Sequence, residues 1–445
     1  MERTIDRRAS AFEIQFFAPA PVQFRCAEVA AVEVHVSLTG RRNLSGEIYR
    51  QLRGAIVEGR LRRGDVLPPT RELAARLSVA RTTVNVAYDR LIAEGFATAR
   101  LGSGTYVAHR ASRIPQHRAP HKAVLRSRPI WEEVPLPLHL LQPAQFDFRA
   151  GRPDESLFPH KSWQRVLARE SRAIVGDAAC GDPAGHQDLR GAIAHHIATS
   201  RGLRVDANDV VVTSGAQQAI DLIARVLAAP GDRVAVEDPG YSPPRQLFAA
   251  LGLDVHGVPV DDEGIIVEAI PPGIRLVYVS PSHQFPLGMS MSLERRLALL
   301  DWASCTGAAI IEDDYDSEFR FSGRPIEPLH VLDTDCRVIY VGSFSKTMLP
   351  TLRLGFVVVP ESLRAALTSA KFLADWSSPL ATQAALARFI GDGKFAQHVR
   401  RMRTTYETRH RLVVDLLGRT FADELCVVPS FVGLHVAALA RNASV

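Results

Sequence analysis

The chain has 445 residues, 46% of them apolar and 23% charged, with a net charge of +5. That describes a globular chain long enough for two or three domains, and it excludes a disordered or low-complexity protein. No run approaches the roughly 18 uninterrupted apolar residues a membrane span needs, and the N-terminus has no clean signal core, so a cytoplasmic protein is expected. The five cysteines, Cys26, Cys180, Cys305, Cys336 and Cys426, follow no metal or disulfide spacing. They read as buried thiols in a reducing compartment.

Residues 1–35 show no usable period and read as a tail. The positive charge is concentrated just beyond it, where residues 36–110 hold thirteen arginines, no lysine and six acidic residues. That local excess of +7 is larger than the total for the chain. Arginine's planar fork suits phosphates and base edges.

From Asn43 the apolar residues Leu44, Ile48, Leu52, Ala55 and Ile56 recur at helical spacing, and the turn-rich GRLRRGDVLPP closes this first helix. Thr70, placed before Arg71, Glu72, Leu73 and Ala74, is expected to cap a short second helix. After the tight turn LSVA comes RTTVNVAYDRLIAEGF, with Val84, Ala87, Tyr88 and Leu91 inward and Arg81, Thr82 and Asn85 outward. Two short helices across a tight turn form a helix-turn-helix, and FATARLGSGTYVA, bending at Gly102 and Gly104, reads as a two-stranded wing. Arg81, Thr82, Thr83 and Asn85 are the residue types that a helix needs at the end entering a major groove, and Arg71 suits a phosphate. Merely solvated helix residues would give a similar pattern, but the wing and the charge excess favour double-stranded DNA as the partner.

Residues 111–145, rich in proline, arginine and histidine without a stable period, read as an extended linker. From residue 146 to 445, strand-like runs (DVVVT, DRVAVED, RLVYVSP, AAIIEDD, RVIYVGS) alternate with helical ones (QQAIDLIARVLAA, LERRLALLDWASCTG). This alternation predicts an α/β domain around a mostly parallel sheet, with its ligands beyond the carboxyl ends of the strands.

Three of those strand ends carry chemistry. At TSGAQQAIDL the amides of Gly215, Ala216 and Gln217 open a helix, an arrangement that favours an anion but is common without one. At AAIIEDDYDSEF the acidic residues Glu312, Asp313, Asp314 and Asp316 crowd around Tyr315; a cation, a metal, a protonated ring or simple solvation would account for them. No histidine or cysteine lies close enough in sequence to complete a familiar ligand set, so no metal is expected. At RVIYVGSFSK, Lys346 follows Ser343 and Ser345, with Arg353 seven residues on. The hydroxyls and the arginine suit a phosphate, and the amine suits a carbonyl. Pyridoxal 5'-phosphate satisfies all three groups, because lysine forms a Schiff base with its aldehyde while an aspartate holds its ring nitrogen protonated.

The motifs LPPTRELAARLSVARTTVNVAYDRLIAEGF, LGSGTYVA, GDPAGHQDLR, TSGAQQAIDL, VEDPGY, PSHQFPLG, IEDDYDSEFR and GSFSKTMLPTLRLGF occur in this order. In them the chain resembles the MocR-type bacterial regulators, which join a GntR-like winged helix-turn-helix to a domain similar to type I aminotransferases. The resemblance spans about residues 44–436. It implies Lys346 as the Schiff-base lysine, Asp313 on the pyridine nitrogen, Tyr315 near the ring hydroxyl and Tyr241 stacked on the ring. It also implies Ser343, Ser345, Arg353 and the amides of Gly215, Ala216 and Gln217 as the phosphate site. His283 and Gln284 would lie near the cofactor with no defined task. In the N-terminal domain it implies Arg71, Arg81, Thr82 and Thr83 on the operator and Gly102 at the wing tip.

Three departures stand out. Cys180 replaces a tyrosine that reaches the partner subunit's phosphate in related aminotransferases. Ala80 replaces the serine or threonine that caps the recognition helix, a loss of about 1 kcal/mol. SFVGLHVAALARNASV reads as an incomplete, truncated small C-terminal domain without a counterpart of the carboxylate-binding arginine, since Arg441 lies too early. The resemblance implies a homodimeric transcriptional regulator that responds to the cofactor itself or to an amine or amino-acid effector. The alternative is an aminotransferase with an appended DNA-binding domain.

Overall fold

The computed structural model describes residues 36–38, 43–100, 102–108, 126–135, 145–174, 181–323 and 327–441. The readings made for residues 1–35 and for Cys26 and Cys180, and most of those for 111–145, fall outside these. The chain divides into two compact units, residues 1–126 and 127–445.

The first unit contains α1 (Leu44–Val57), β1 (Val66–Leu67), α2 (Thr70–Arg76), α3 (Arg81–Ala93), β2 (Ala97–Arg100) and β3 (Gly104–Val107). The three strands form an antiparallel sheet in the order β1-β3-β2. Ile48, Leu52 and Ile56 of α1 pack with Leu73 of α2 and with Val84, Ala87, Tyr88 and Leu91 of α3 in one core. These are the positions the helical period assigns inward. The Tyr88 hydroxyl donates to the Pro68 carbonyl at 2.8 Å, tying the loop before α2 to α3. Thr70 is not the cap of α2. Pro69 occupies that position, and Thr70 is already helical. Its side chain faces α3 instead, where Oγ1 accepts from Arg81 Nε at 3.2 Å. Ala80 caps α3 by position only, in extended conformation and without a side-chain bond.

The second unit opens with a short helix, α4 (Ile130–Glu133), inside the segment expected to lack structure. It continues with α5 (His160–Ile174), α6 (Gln187–Arg201), β4 (Val210–Thr213), α7 (Ala216–Leu227), β5 (Arg233–Asp238), α8 (Ser242–Ala250), β6 (Asp254–Asp261), β7 (Gly264–Ile265) and β8 (Ile274–Val279). Then come α9 (Leu293–Thr306), β9 (Ala309–Asp314), α10 (Leu329–Leu332), β10 (Val338–Ser343), β11 (Gly355–Val358), α11 (Arg364–Asp375), α12 (Leu380–Gly391), α13 (Lys394–Thr420), β12 (Leu425–Val427) and β13 (Ala438–Ala440).

Eight strands form one mixed sheet in the order β4-β11-β10-β9-β8-β5-β6-β7. The central strands β10, β9, β8, β5 and β6 are parallel, while β11 runs antiparallel to both β10 and β4. The strands read as continuous apolar runs because both faces are covered. Ile339 and Val341 of β10 enter the same cluster as Ile220 and Ile223 of α7 and Leu367 of α11. Tyr340, from the same strand, joins Ile193 of α6, Trp163 of α5 and Phe389 of α12 on the opposite face. Helices on both sides make a three-layer α/β/α domain, with β12 and β13 as a separate antiparallel pair.

The three described cysteines, Cys305, Cys336 and Cys426, are exposed rather than buried. Cys305 lies in the last turn of α9, Cys336 in the bend between α10 and β10, and Cys426 at a solvent-facing position of β12.

Candidate cofactor site and recognition helix

Parallel strands end together, so β5, β8, β9 and β10 deliver their last residues to one edge of the sheet, and antiparallel β11 begins there. Ser343 pairs with Gly355, and Gly355 pairs with Thr213, in a row across β10, β11 and β4. One residue deeper, Asp314 pairs with Gly342, and Asp313 pairs with Val341.

Gly215 precedes α7 with φ 88. A Cβ on Gly355 would lie 2.8 Å from the Gly215 carbonyl carbon and 3.0 Å from Ala216 N, so the absence of a side chain at 355 lets α7 start against β11. Arg353 donates through Nη2 to the Ser214 carbonyl at 2.8 Å, which sets its guanidinium beside the same turn. Gln218 accepts from Ser214 N through Oε1 at 2.8 Å. The amides of Ala216 and Gln217 are first-turn groups with no acceptor within the helix, at its positive end. Ser345 N donates to Ser343 Oγ at 3.1 Å, which shapes the turn leading to Lys346.

Lys346 is half-buried, and its Nζ donates to the Gly151 carbonyl at 2.7 Å. Burial pushes its pKa down, opposed by the carboxylates of Asp316 and Asp313. Asp313 is buried; its Oδ2 accepts from the Tyr278 hydroxyl at 2.6 Å, while Oδ1 has no partner. Burial raises its pKa to about 6, with the Tyr278 bond opposing. An orphaned carboxylate oxygen beside a lysine amine is what a protonated ring nitrogen would satisfy. The row of side chains therefore fits pyridoxal phosphate.

Asp314 points to the opposite face, where Arg201 Nε lies 2.8 Å away and the Tyr340 hydroxyl donates at 2.5 Å. Glu312 accepts from Leu329 N and His330 N, each at 2.9 Å. Two of the crowded acids are thus structural. Tyr315 is engaged with PSHQFPLG: its hydroxyl donates to the His283 carbonyl at 2.8 Å. Gln284 braces that loop, donating to the carbonyls of Pro239 and Phe285 and accepting from Leu287 N. Tyr241, 40% exposed, stands edge-on to Phe285 at 5.5 Å.

Sequence reasoning missed Tyr278, Gly151, Glu237 and His435, and gave Asp316 no task beyond its place in the acidic run. Glu237, the next-to-last residue of β5, is buried; it accepts from Ser280 N and Oγ, leaves Oε1 unpartnered, and burial raises its pKa to about 7. The available sign was a polar residue near the end of an apolar strand. The histidines sought in sequence near the acidic run are supplied by the fold. His283 Nδ1 lies 3.0 Å from both oxygens of Asp316, and His435 stacks on His283 at 4.3 Å.

In the first unit, Arg81 and Thr82 are exposed at the start of α3, Thr83 and Asn85 are half-buried there, and Arg71 is exposed on α2. Gly102 sits between β2 and β3 with φ 76.

The second unit has the fold of the pyridoxal phosphate-dependent type I aminotransferases, and the first is a winged helix-turn-helix. The family model for aminotransferase class I and II matches residues 146–438, and that for bacterial regulatory proteins of the gntR family matches 44–107. The chain is 38% identical to the probable rhizopine catabolism regulatory protein MocR of Rhizobium meliloti over 401 residues, 88% of this chain and 80% of that one. It is 34% identical to the pyridoxine biosynthesis transcriptional regulator PdxR of Corynebacterium glutamicum over 378 residues, 84% of this chain and 78% of that one. Among solved structures, kynurenine aminotransferase of Pyrococcus horikoshii matches with a TM-score of 0.64 at 27% identity, covering 72% of this chain and 81% of that one.

The chain belongs to the GntR-family regulators that carry an aminotransferase class I and II domain. It is a helix-turn-helix transcriptional regulator whose aminotransferase-like domain takes pyridoxal phosphate. Among the described residues no helix is long and apolar enough to cross a membrane.

Proposed function

We propose that the protein is a ligand-responsive regulator in which the cofactor is an anchor for sensing an amine or amino acid. The observation that carries this reading is an amine and an orphaned acid at the same edge of the sheet, close enough to act on each other electrostatically. Among the described residues, Lys346 Nζ donates to the Gly151 carbonyl alone, and Asp313 Oδ1 has no partner. When bound, pyridoxal phosphate supplies a carbonyl that takes primary amines as imines. The chain's own residues do the rest. Lys346 would hold the cofactor covalently, Asp313 would keep a ring nitrogen protonated, and Tyr315 would serve the ring hydroxyl. Tyr241 would cover the ring; the amides of Gly215, Ala216 and Gln217, together with Ser343, Ser345 and Arg353, would hold the phosphate.

In the first unit, Arg81, Thr82, Thr83 and Asn85 read base edges at the start of α3, Arg71 meets the backbone and Gly102 turns the wing toward it. Residues 111–145 tether the DNA-binding domain, 36–110, to the domain that begins at residue 146. A homodimer on paired half-sites suits a regulator of this build, because a two-fold protein reads a two-fold operator. A soluble protein acting on DNA in the cytoplasm is the corresponding location.

The test is reduction with borohydride followed by peptide mass spectrometry. Wild type carries the cofactor mass on the peptide containing Lys346, and Lys346→Ala carries none. An unlabelled wild-type peptide sinks the cofactor assignment. Sustained conversion of an amino acid to its keto acid would reassign the protein as an enzyme.

A further inference from the structure

We propose that His283, Asp316 and His435 form a subsite beside Lys346 that takes the ammonium end of a small amine effector and accepts its proton. This rests on the reading of the second unit as a cofactor-loaded sensor. His283 follows β8, Asp316 follows β9, and His435 lies between β12 and β13, so three separate parts of the chain meet. His283 and Asp316 are 1% exposed and His435 is 9% exposed.

The hydrogen bonds fix both tautomers. A carboxylate only accepts, so His283 Nδ1, 3.0 Å from both Asp316 oxygens, carries a proton; Nε2 is left with no partner. A carbonyl also only accepts, so His435 Nε2, 3.2 Å from the Pro286 carbonyl, carries its proton, and Nδ1 presents a lone pair with no partner. Burial, followed by the neighbouring His283, lowers the His435 pKa to about 4, which keeps that ring uncharged at neutral pH. Two buried ring nitrogens without partners are costly alone and are satisfied by a ligand's N–H groups.

Other groups face the pair. The Tyr315 hydroxyl is 3.2 Å from His283 Nδ1, Leu434 N donates to Asp316 Oδ2 at 3.2 Å, and His410 of α13 and Lys346 contribute electrostatically. Gly433 closes over the dyad. A Cβ there would lie 2.0 Å from His283 Cε1 and 2.5 Å from Asp316 Oδ2, so the backbone approach requires glycine.

An Asp-His dyad with a free Nε2 is the arrangement of a general base. A primary amine is an ammonium ion at neutral pH and cannot react with a carbonyl until it loses a proton. One N–H bond of the ligand breaks, the proton passes to His283 Nε2, the ligand nitrogen keeps the electron pair, and the charge on the imidazole rests against Asp316. A divalent cation is the competing occupant of this cluster, whose ligand atoms lie within 4.8 Å of one another, and the zinc arm of the titration decides between the two.

Full-length protein, with and without pyridoxal phosphate, is titrated with n-butylamine and with n-butyltrimethylammonium, which has the charge but no N–H group. Calorimetry follows binding to the cofactor-free protein, and visible absorbance follows the loaded one across about pH 6.5 to 9. Wild type is expected to bind butylamine and not the trimethylated cation. His283→Gln and His435→Gln, folded by circular dichroism and still retaining cofactor, bind it at least about tenfold more weakly. Asp316→Asn moves the midpoint of the absorbance response upward by about one pH unit or more. Equal binding of both cations, or variants that titrate like wild type, overturns the inference. So does zinc chloride binding that depends on His435 in a protein giving no heat with butylamine. Failure to load cofactor would overturn the sensor reading instead, while the cofactor-free titration still decides the subsite.

Discussion

Two helices in this protein begin at positions proposed to meet a ligand, α3 the bases of an operator and α7 a cofactor phosphate, and they are built differently. Helix α3 starts after Ala80, without a capping side chain, and Arg81 and Thr82 stand in solvent. Helix α7 starts after Gly215, pressed against Gly355 of β11, with Arg353 fixed on the preceding carbonyl. Both offer unsatisfied amides and a positive dipole end. On the proposed reading, exposed side chains of the first meet a polymer from outside, and the second forms the wall of a site for one small anion. That reading puts specificity in side chains at α3 and in backbone and neighbouring strands at α7.

The largest expected effect breaks this comparison at α3. Arg81→Ala is predicted to weaken specific operator binding by about 10- to 100-fold, the value of one base-reading arginine, while cofactor loading is unchanged. Electrophoretic mobility shifts with a promoter fragment measure it, and equal retention of mutant and wild type removes α3 from the interface. Arg71→Ala should instead reduce the slope of affinity against salt by about one ion.

At α7 the corresponding change is Gly355→Ala, which places a methyl group against backbone that cannot rotate away. It is predicted to weaken cofactor binding by roughly 1–3 kcal/mol, with operator binding retained. Equilibrium dialysis against pyridoxal phosphate reads this, and unchanged affinity would detach the α7 terminus from the phosphate site.

The buried acids give a pH signature. Asp313 rises from 3.8 to about 6, and Glu237 rises from 4.5 to about 7, both through burial. A folded-state pKa above the unfolded one means the native protein holds more protons between the two values. Stability contributed by these groups is then complete below about pH 4 and declines as pH rises toward 7, by about 1.4 kcal/mol for each pH unit that separates a group's folded and unfolded values. Asp313→Asn should flatten the lower part of this decline in cofactor-free protein, as read by thermal denaturation. Adding cofactor should also flatten it, because a protonated ring nitrogen favours the ionised carboxylate.

The smallest effect restores a cap. Ala80 already has the extended conformation of an N-cap, so Ala80→Ser is predicted to stabilise the first unit by about 0.5–1 kcal/mol. Hydrogen exchange at the first amides of α3 would slow; unchanged exchange would mean that the turn, not the cap, limits opening.

Much of this architecture was legible in the sequence because it depends on local pattern. The helical spacing of Ile48, Leu52 and Ile56, and of Val84, Tyr88 and Leu91, placed the first core correctly. The apolar runs marked β4, β5, β8, β9 and β10, and their polar ends meet at one edge of the sheet. Thr70 misled, because Pro69 takes the cap position and leaves the threonine to Arg81. The exposed cysteines misled as well, since thiol burial depends on what packs above an element end.

By itself the sequence determined which groups are present and in what order: a basic helix-turn-helix, then a glycine turn, an aspartate and a lysine at the ends of three strands. Alternation and helical period carry that information because each residue's inward or outward direction follows from its neighbours in the chain. Only the tertiary structure decided which groups share an environment. It separated Asp313 from Asp314 onto opposite faces, set Tyr278 on one oxygen of Asp313, and brought His435 onto His283 and Asp316 across more than a hundred residues. Burial and partnership, which set proton affinity and leave an atom free for a ligand, arise from contacts between distant segments, and no local pattern encodes them.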